Sequence, residues 1–347
     1  MSKNKKIKIA INGFGRIGRL LFRKLCGDSC FDIVAVNDLS DVENLVNLLE
    51  YDTVYGNYEK DIKVSDKGGK HFIVGGDKVL VLQEADPAKL PWKKLGVDIV
   101  VEATGAFDSF KKASVHLEAG AKRVVITAPA KDGERKDAKT VLVGLNEEEF
   151  KNCQITSNGS CTTNATYPVI AVLNKRIGIE KAMLTTVHAY TASQGLLDSV
   201  TKTKDFRRGR AAAQNIIPST TGATISVTRV ITELADKFDG MALRVPVPVG
   251  SVVDLTFVAK KKTSVKEVNG FLKRAAKDKQ WRDILKVTDD PIVSSDVIGQ
   301  PYGAIVDLNY TKVVDGDLVK VLVWYDNEWG YITTLAKHLE GVAKNLC

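Results

Sequence analysis

Long apolar runs, cysteines and histidines are all scarce in this sequence. No apolar run approaches the roughly 18 residues that a membrane-spanning helix needs, so no membrane segment is expected. The basic first residues lack the apolar core and cleavage site of a secretory signal. The cysteines are odd in number and too few for a disulfide scaffold: Cys26, Cys30, Cys153, Cys161 and Cys347. Together these absences favour the reducing cytoplasm.

Positive charge is in excess, but it does not form a continuous patch. The formal net charge is +8 and the isoelectric point is about 9.0, which raises the question of a nucleic-acid partner. The basic runs at 206–210 (FRRGR) and 260–262 (KKK) are short. We therefore expect solvated lysines and a site for an anionic small molecule, with no requirement for nucleic acid.

Strands and helices alternate over residues 1–156. Helical patterns at 13–26 and 41–52 separate short apolar runs with turn residues at their ends. The predicted strands are KIKIAIN (6–12), FDIVAVND (31–38), DIVVEATG (98–105), KRVVITAPA (122–130) and TVLVGLN (140–146). This alternation predicts a Rossmann-type doubly wound parallel sheet in an α/β protein.

The pattern changes after Cys161. One helix from Thr162 to about Lys175 leads into longer strand-like runs, and few helices separate the last four of them. This predicts an α+β domain with a mixed or antiparallel sheet and helices on one face. We expect two domains: a dinucleotide-binding domain at 1–160, completed by a C-terminal helix at 328–347, and a catalytic domain at 161–327.

The stretch NGFGRIG carries a dinucleotide-binding pattern. Gly13, Gly15 and Gly18 form GxGxxG between a strand and a helix, and Asp38 follows twenty residues after Gly18 at the end of the next strand. Gly13 permits the tight turn, Gly15 lets a pyrophosphate approach the backbone, and Gly18 allows close packing of helix on sheet. The helix N-terminus attracts the phosphates, and an acidic residue such as Asp38 accepts hydrogen bonds from ribose hydroxyls.

Cys161 is a candidate nucleophile at the predicted start of a helix. Unpaired N–H groups and the helix dipole favour a thiolate there. Pro168 cannot bond to the carbonyl of Asn164, so we expect the helix to be bent or opened near its start. The segment alone leaves a nucleophile and an inert buried cysteine equally open.

His188 and Arg244 shift that balance. His188 ends the run AMLTTVHAY, on the same predicted strand face as Leu184 and Thr186, and a reactive cysteine needs such a base within reach. Arg244 stands inside an apolar run, where an unpaired charge is costly. It is either half of a buried ion pair, for instance with Asp254, or a fork for a phosphate.

Several motifs resemble the glyceraldehyde-3-phosphate dehydrogenase family. They are INGFGRIGR, SNGSCTTN, HAYTA, NIIPSTTGA, MALRVPVPVGSVVDLTF and WYDNEWGY. The resemblance runs in order from about Lys6 to the C-terminus. It implies oxidation of glyceraldehyde 3-phosphate to 1,3-bisphosphoglycerate in glycolysis or gluconeogenesis, with NAD and inorganic phosphate, by a homotetramer whose segment 196–210 lies between subunits.

The resemblance also implies roles for individual residues. Cys161 would form the thiohemiacetal and thioester, and His188 would be the base. Thr191 and Arg244 would hold the substrate phosphate, and the attacking phosphate would meet Ser160, Thr162, Thr221 and Gly222. The NAD contacts would be the glycine motif with Arg16 and Ile17, Asp38 at the ribose, and Thr127, Asn327 and Tyr331 near the nicotinamide. No metal is implied.

Three residues and one segment depart from the family pattern. Gly159 stands where alanine is usual, and Ala165 replaces a second cysteine, which removes a thiol able to trap Cys161. Ala85 replaces a common arginine on the adenine side and is expected to weaken cofactor affinity slightly. The segment 196–210 is one residue longer than usual and lacks a proline, which favours room for NADP near the adenosine, with Lys202 or Lys204 as a candidate partner for its 2′-phosphate.

Three alternatives stay open. Erythrose-4-phosphate dehydrogenase shares the fold and the catalytic pair. A basic RNA-binding module with a vestigial site is possible from charge alone, although intact Cys161, His188 and Arg244 argue against decay. A thiol redox sensor built on Cys161 is compatible with catalysis.

Overall fold

The computed structural model of this chain describes residues 6–201 and 204–346. The chain divides into two compact units, Met1–Gly159 with Leu335–Cys347, and Ser160–Thr334. Each unit is built around one sheet. Within the described residues, no helix is both long enough and apolar enough to cross a membrane.

The first unit contains a largely parallel sheet. Its strands are β1 (Ile7–Asn12), β2 (Phe31–Asn37), β3 (Ile62–Ser65), β4 (His71–Val74), β5 (Asp77–Leu82), β6 (Ile99–Glu102), β7 (Arg123–Ile126), β8 (Ala138–Thr140) and β9 (Ile155–Ser157). Their order is β3-β4-β5-β2-β1-β6-β7-β9-β8, with antiparallel pairing only among β3, β4 and β5. The order reverses at β1, as in a doubly wound sheet, so the predicted Rossmann-type fold is confirmed.

Helices connect these strands. They are α1 (Arg16–Leu25), α2 (Val42–Glu50), α3 (Trp92–Leu95), α4 (Phe110–Ala113) and α5 (Val115–Glu118). Leu20, Leu21 and Leu25 bury the apolar face of α1. The Asp41 side chain caps α2 by accepting hydrogen bonds from two first-turn N–H groups. The local sequence therefore sets where α2 begins.

The predicted strand at 140–146 is wrong beyond its first residue. Strand β8 ends at Thr140, and the apolar residues after it enter a turn. Asn146 closes this turn, because its side chain accepts from Leu142 N at 2.9 Å and donates to Thr140 O at 2.9 Å. A side-chain amide thus takes backbone groups that a longer strand would have paired.

The second unit contains a mixed sheet. Its strands are β10 (Ile179–Ala189), β11 (Ile217–Thr220), β12 (Phe238–Val245), β13 (Ser251–Ala259), β14 (Leu285–Thr288), β15 (Ala304–Val314) and β16 (Leu318–Tyr325). Their order is β11-β12-β10-β13-β16-β15-β14, and only the β10–β12 and β14–β15 pairs are parallel. The prediction of a mixed sheet is confirmed.

Four further helices are α6 (Cys161–Ile177), α7 (Ala223–Val230), α8 (Val265–Ala275) and α9 (Trp329–Ala343). Helix α6 packs against β13, β15 and β16 and is buried along most of its length. The helix continues through Pro168 without a break. Of the two predicted outcomes, a bend or an opening near the helix start, the opening is therefore wrong. Its first residue is Cys161, which places the thiol at the end of a long, firmly held helix.

Candidate active site

Helix α6 positions Cys161. Ser160 is the N-cap: its side chain accepts from Thr163 N, and the Thr163 hydroxyl accepts in return from Ser160 N, each at 3.1 Å. This reciprocal cap fixes the first turn of α6. Cys161 is only partly exposed. The Ser160 hydroxyl, predicted to meet a phosphate, is engaged in this cap.

Strand β10 brings His188 to that thiol. Leu184, Thr186 and His188 lie on the buried face of β10, and His188 is only 3% exposed. Its Nε2 is 3.3 Å from Cys161 Sγ. The structure thus brings the predicted nucleophile and the predicted base within hydrogen-bond reach of each other.

Arg244 lies on the other side of the His188 ring. The parallel pairing of β10 with β12 sets His188 beside Arg244. Arg244 Nη1 is 2.7 Å from His188 Nδ1 and donates to Ala189 O at 3.3 Å. Asp254 pairs instead with Lys320, with 2.5 Å between Asp254 Oδ2 and Lys320 Nζ. The predicted alternative of a buried ion pair between Arg244 and Asp254 is therefore wrong.

The Arg244 guanidinium is left without a carboxylate. Among the described residues none forms an ion pair with it, and its buried Nε has no hydrogen-bond partner. Burial lowers the pKa of Arg244, partly offset by Cys161. Arginine remains charged under these conditions because its ordinary pKa exceeds 12. Strand β12 therefore holds a half-buried cation that can bind an anion.

Burial and Arg244 also act on the catalytic pair. Burial, followed by the charge of Arg244, lowers the pKa of His188 to about 3. Burial raises the pKa of the Cys161 thiol, while Arg244 opposes that rise. In this geometry the pair is a thiol beside a neutral imidazole.

Tyr325 ties α6 to the sheet next to this pair. Its hydroxyl lies 2.9 Å from Thr162 Oγ1 and 2.7 Å from Thr186 Oγ1. The Tyr325 ring meets the His188 ring edge-on, with 5.9 Å between centroids. The Thr162 side chain, predicted to face a phosphate, is thus occupied by Tyr325, and sequence reasoning did not single out that tyrosine.

The remaining predicted phosphate residues lie on two loops. Thr191 follows β10, and its hydroxyl is 2.9 Å from Ser193 Oγ. Thr221 and Gly222 precede α7, with Gly222 as the N-cap and the Thr221 hydroxyl accepting from Ala223 N at 3.2 Å. Among the described residues, no hydrogen bond or ion pair joins Thr191, Thr221 or Gly222 to Cys161, His188 or Arg244.

Arg208 is a second cation that sequence reasoning missed. Arg208 Nη1 donates to Ser193 Oγ at 3.3 Å, and Ser193 in turn contacts Thr191. Its charge lowers the pKa of both His188 and Arg244, after larger contributions from burial. The only sequence signal was the short basic run 206–210, which suggested solvated charge.

The glycine motif in the first unit leaves room for a dinucleotide. A Cβ on Gly18 would lie 2.1 Å from Gly13 O, which shows how closely α1 packs on the turn after β1. Gly13 has a φ of +95°, and a Cβ there would lie 2.6 Å from Thr104 N. No atom lies within 4 Å of a Cβ placed on Gly15, so the backbone there is open to a ligand.

A cleft of about 430 Å³ opens at this motif. Gly13, Gly15, Asp38 and Ala85 are among its lining residues. Asp38 Oδ2 accepts from Phe14 N at 2.8 Å, and Oδ1 accepts from Ser40 N at 2.9 Å. Burial favours the neutral acid, but these N–H groups outweigh it and hold the pKa of Asp38 below its usual range. The cleft and its ionised carboxylate fit an adenosine ribose.

The other predicted cofactor residues are spread over both units. Arg16 and Ile17 lie in the first turn of α1, where the Arg16 side chain pairs with Asp52 at 2.5 Å. Thr127 follows β7 and donates its hydroxyl to Glu102 O at 3.0 Å. In the second unit, Asn327 Oδ1 accepts from Gly250 N and Ser251 Oγ, and Tyr331 lies in α9.

Two further sequence expectations concern charge and metals. Lys204, considered as a partner for a 2′-phosphate, is exposed, and Lys202 lies outside the described residues. In the part of the chain that the structure describes, no group of three or more His, Cys, Asp or Glu side chains is arranged to hold a metal ion.

The first unit has the architecture of dinucleotide-dependent oxidoreductases. Residues 7–110 match the family model described as glyceraldehyde 3-phosphate dehydrogenase, NAD binding domain, and residues 160–327 match the model of the C-terminal domain. The chain belongs to the glyceraldehyde-3-phosphate dehydrogenase family, and its cofactor is NAD.

Similar proteins include three glyceraldehyde-3-phosphate dehydrogenases. That of Clostridium pasteurianum is 46% identical over 97% of this chain and 98% of its own length. Glyceraldehyde-3-phosphate dehydrogenase 2 of Bacillus subtilis is 45% identical over 98% of each chain. Glyceraldehyde-3-phosphate dehydrogenase B of Aspergillus oryzae is 43% identical over 97% of this chain and 99% of its own length.

Proposed function

We propose that this chain oxidises glyceraldehyde 3-phosphate to 1,3-bisphosphoglycerate with NAD and inorganic phosphate, a reaction of glycolysis and gluconeogenesis. The observation that carries the proposal is the line of three side chains in the second unit. Cys161 Sγ lies 3.3 Å from His188 Nε2, and Arg244 Nη1 lies 2.7 Å from His188 Nδ1. The proposed nucleophile, the proposed base and the proposed phosphate-binding cation are therefore adjacent.

Cys161 is the proposed nucleophile and His188 the proposed base. When Nδ1–H donates to the Ala189 carbonyl, 2.6 Å away, Nε2 carries a lone pair towards the thiol. Cys161 Sγ attacks the aldehyde carbon and gives its proton to Nε2, and the imidazolium so formed passes that proton to the aldehyde oxygen, which becomes the hydroxyl of a thiohemiacetal. General base catalysis of this kind is worth about a hundredfold to ten-thousandfold.

Oxidation then requires loss of a hydride from the same carbon. NAD, when bound, supplies the acceptor for that hydride. His188 takes the hydroxyl proton, and the carbon remains joined to Cys161 as a thioester. Inorganic phosphate attacks the thioester carbon, the Cys161 thiolate is the leaving group, and the acyl phosphate is released. The proton held by His188 then returns to the sulfur, which restores the thiol and the neutral imidazole.

Arg244 and Thr191 are the proposed ligands of the substrate phosphate, and Arg208 adds positive charge beside them. Ser160, Thr162, Thr221 and Gly222 are proposed for the attacking phosphate. Ser160 and Thr162 belong to the start of α6, and Gly222 caps α7, so backbone N–H groups at two helix starts support this assignment.

The glycine motif, with the first turn of α1, is proposed to hold the NAD pyrophosphate, and Asp38 the adenosine ribose. The open backbone at Gly15 and the ionised carboxylate in the cleft support these contacts. Thr127, Asn327 and Tyr331 are proposed nicotinamide contacts on the family resemblance alone. The domain boundaries at 1–160 with 328–347, and at 161–327, are likewise proposed.

A homotetramer in the cytoplasm is part of the proposal. Its support is the segment 196–210, which exposes large apolar side chains, among them Leu197 at 76%, Val200 at 100% and Phe206 at 80%. Such exposure is costly in a monomer and suits a subunit interface. The four described cysteines are free thiols, which suits a reducing compartment.

Parallel assays of two aldehydes test the substrate. We expect a higher kcat/KM for glyceraldehyde 3-phosphate than for erythrose 4-phosphate, measured as NADH formed in the presence of inorganic phosphate. A preference for erythrose 4-phosphate would instead indicate that the chain is an erythrose-4-phosphate dehydrogenase.

A further inference from the structure

His188 Nδ1 has two neighbours with opposite requirements. The Ala189 carbonyl, 2.6 Å away, can only accept a hydrogen bond. Arg244 Nη1, 2.7 Å away, can only donate one. A neutral imidazole carries one N–H, so Nδ1 presents either a proton or a lone pair. The ring therefore satisfies one of these neighbours at a time.

The hydrogen bond made at Nδ1 determines whether Nε2 presents a lone pair or a proton to Cys161. With the proton on Nδ1, donated to Ala189 O, Nε2 has a lone pair facing Sγ at 3.3 Å and acts as a base. With Arg244 donating to Nδ1, the proton stands on Nε2, and the ring cannot accept the thiol proton. The neighbour that holds Nδ1 thus determines whether His188 is a base.

A doubly protonated ring does not resolve the conflict. The charged and titratable groups facing His188 are Cys161 from α6, Arg244 from β12, Arg208 from the segment 206–209 and Tyr325 from β16. Two of these are cations, and burial with the charge of Arg244 lowers the pKa of His188 to about 3. The competition is between two neutral tautomers.

An anion would remove the competitor. Arg244 has two hydrogen-bonding neighbours among the described residues, His188 and Ala189, and its buried Nε has none. A phosphate dianion accepts charge-assisted hydrogen bonds from the guanidinium, and these are stronger than the bonds to the neutral acceptors on His188 and Ala189. Once Arg244 bonds to the phosphate, Nδ1 is left to the Ala189 carbonyl.

We propose that a phosphate group held by Arg244 selects the Nδ1–H tautomer of His188, so that the substrate's own phosphate turns His188 into a base towards Cys161. The proposal rests on the proposed function, in which Arg244 binds that phosphate. On the switch, Nε2 releases its proton to water and Nδ1 takes one from water, so the ring stays neutral. Arg244 is then a positioning residue as well as a phosphate ligand.

Nuclear magnetic resonance of the full chain, labelled with ¹⁵N-histidine, tests this directly. The two ring nitrogens report the tautomer, and the variant His188→Gln identifies the signals of His188. We expect both tautomers in the free protein. Glycerol 3-phosphate, which carries the phosphate but no aldehyde, should shift their ratio towards Nδ1–H by roughly tenfold to a hundredfold, the worth of one hydrogen bond to a charged group. Glycerol alone should leave the ratio unchanged.

Two variants distinguish the hydrogen bond from Arg244 to Nδ1 from the general effect of a nearby positive charge. In free Arg244→Leu we expect the Nδ1–H tautomer alone, since the competing donor is gone. Arg208→Leu, the matched control, removes a nearby cation that makes no hydrogen bond to the ring, so both tautomers should remain.

The proposal is overturned if free wild type shows only Nδ1–H, or if the ratio stays the same with glycerol 3-phosphate, whether or not that compound binds. The tautomer ratio is measured on wild type, and His188→Gln serves only to assign the signals. Turnover of glyceraldehyde 3-phosphate is measured separately. A chain that turns the substrate over without a tautomer shift therefore contradicts this inference alone, and one that shifts without turnover contradicts the proposed function.

Discussion

Asp38→Asn is expected to narrow the preference for NAD over NADP. Asp38 lines the cleft at the glycine motif, and hydrogen bonds from Ser40 N and Phe14 N help keep its pKa low. It is therefore ionised at neutral pH. NADP carries a 2′-phosphate on the ribose that this carboxylate is proposed to contact, so two like charges would meet.

The size of the effect follows from Coulomb's law. Two charges at about 4 Å cost on the order of 4 kcal/mol at an effective dielectric of 20, roughly a thousandfold in affinity. Asp38 is partly exposed, and solvent screening reduces this figure. Because screening lowers the thousandfold estimate, we expect wild type to favour NAD over NADP by at least roughly tenfold in kcat/KM.

The choice of variant matters because Asp38 also has a structural contact. Phe14 is fully buried, and Asp38→Ala would leave its N–H without this acceptor, at a cost of about 1–3 kcal/mol. Asp38→Asn removes the charge and keeps an acceptor oxygen. The assay is kcat/KM with both cofactors for wild type and for Asp38→Asn. Equal use of NADP by wild type, or an unchanged ratio in the variant, would refute the role of Asp38.

Three further predictions concern His188, Arg244 and His338. His188→Asn should lower kcat by about a hundredfold or more and slow alkylation of Cys161 at neutral pH. If the variant's alkylation rate depends on pH as that of wild type does, the proposed interaction between Cys161 and His188 is contradicted. Arg244→Leu should raise KM for glyceraldehyde 3-phosphate far more than for glyceraldehyde, and equal losses would make the arginine structural. Burial lowers the pKa of His338 to about 3, so below pH 6.5 the unfolded chain binds more protons and the free energy of unfolding falls with acidification. His338→Gln should lessen that fall by up to about 1.4 kcal/mol per pH unit in urea unfolding, and an unchanged slope would contradict it.

Local sequence patterns predicted much of the site. GxGxxG with Asp38 specifies a turn, a helix start and a carboxylate through backbone conformation alone, and the structure has all three at one cleft. The alternation along β10 predicted that His188 shares a face with Leu184 and Thr186, and the structure shows that this face is buried. Scarcity of histidine alone did not single it out, since His116 and His338 are also buried, bonded to Glu102 and Thr156.

Long-range pairing accounts for what the sequence could not predict. The partner of Arg244 depends on β12 pairing with β10 across about fifty intervening residues, and no local pattern encodes that register. Arg208 approaches the site through the loop after β10, whose path is set by bonds such as that to Ser193. The turn closed by Asn146 likewise depends on a side-chain contact that apolar periodicity does not reveal.

The thioester is tested most directly by the time course of NADH formation without inorganic phosphate. Enzyme, NAD and excess glyceraldehyde 3-phosphate are mixed rapidly, and absorbance of NADH is followed before and after phosphate is added. We expect a burst of at most one NADH per active site, then steady turnover once phosphate is supplied, and neither phase in Cys161→Ser. Sustained turnover without phosphate, or a burst that survives in Cys161→Ser, would contradict a Cys161 thioester cleaved by phosphate.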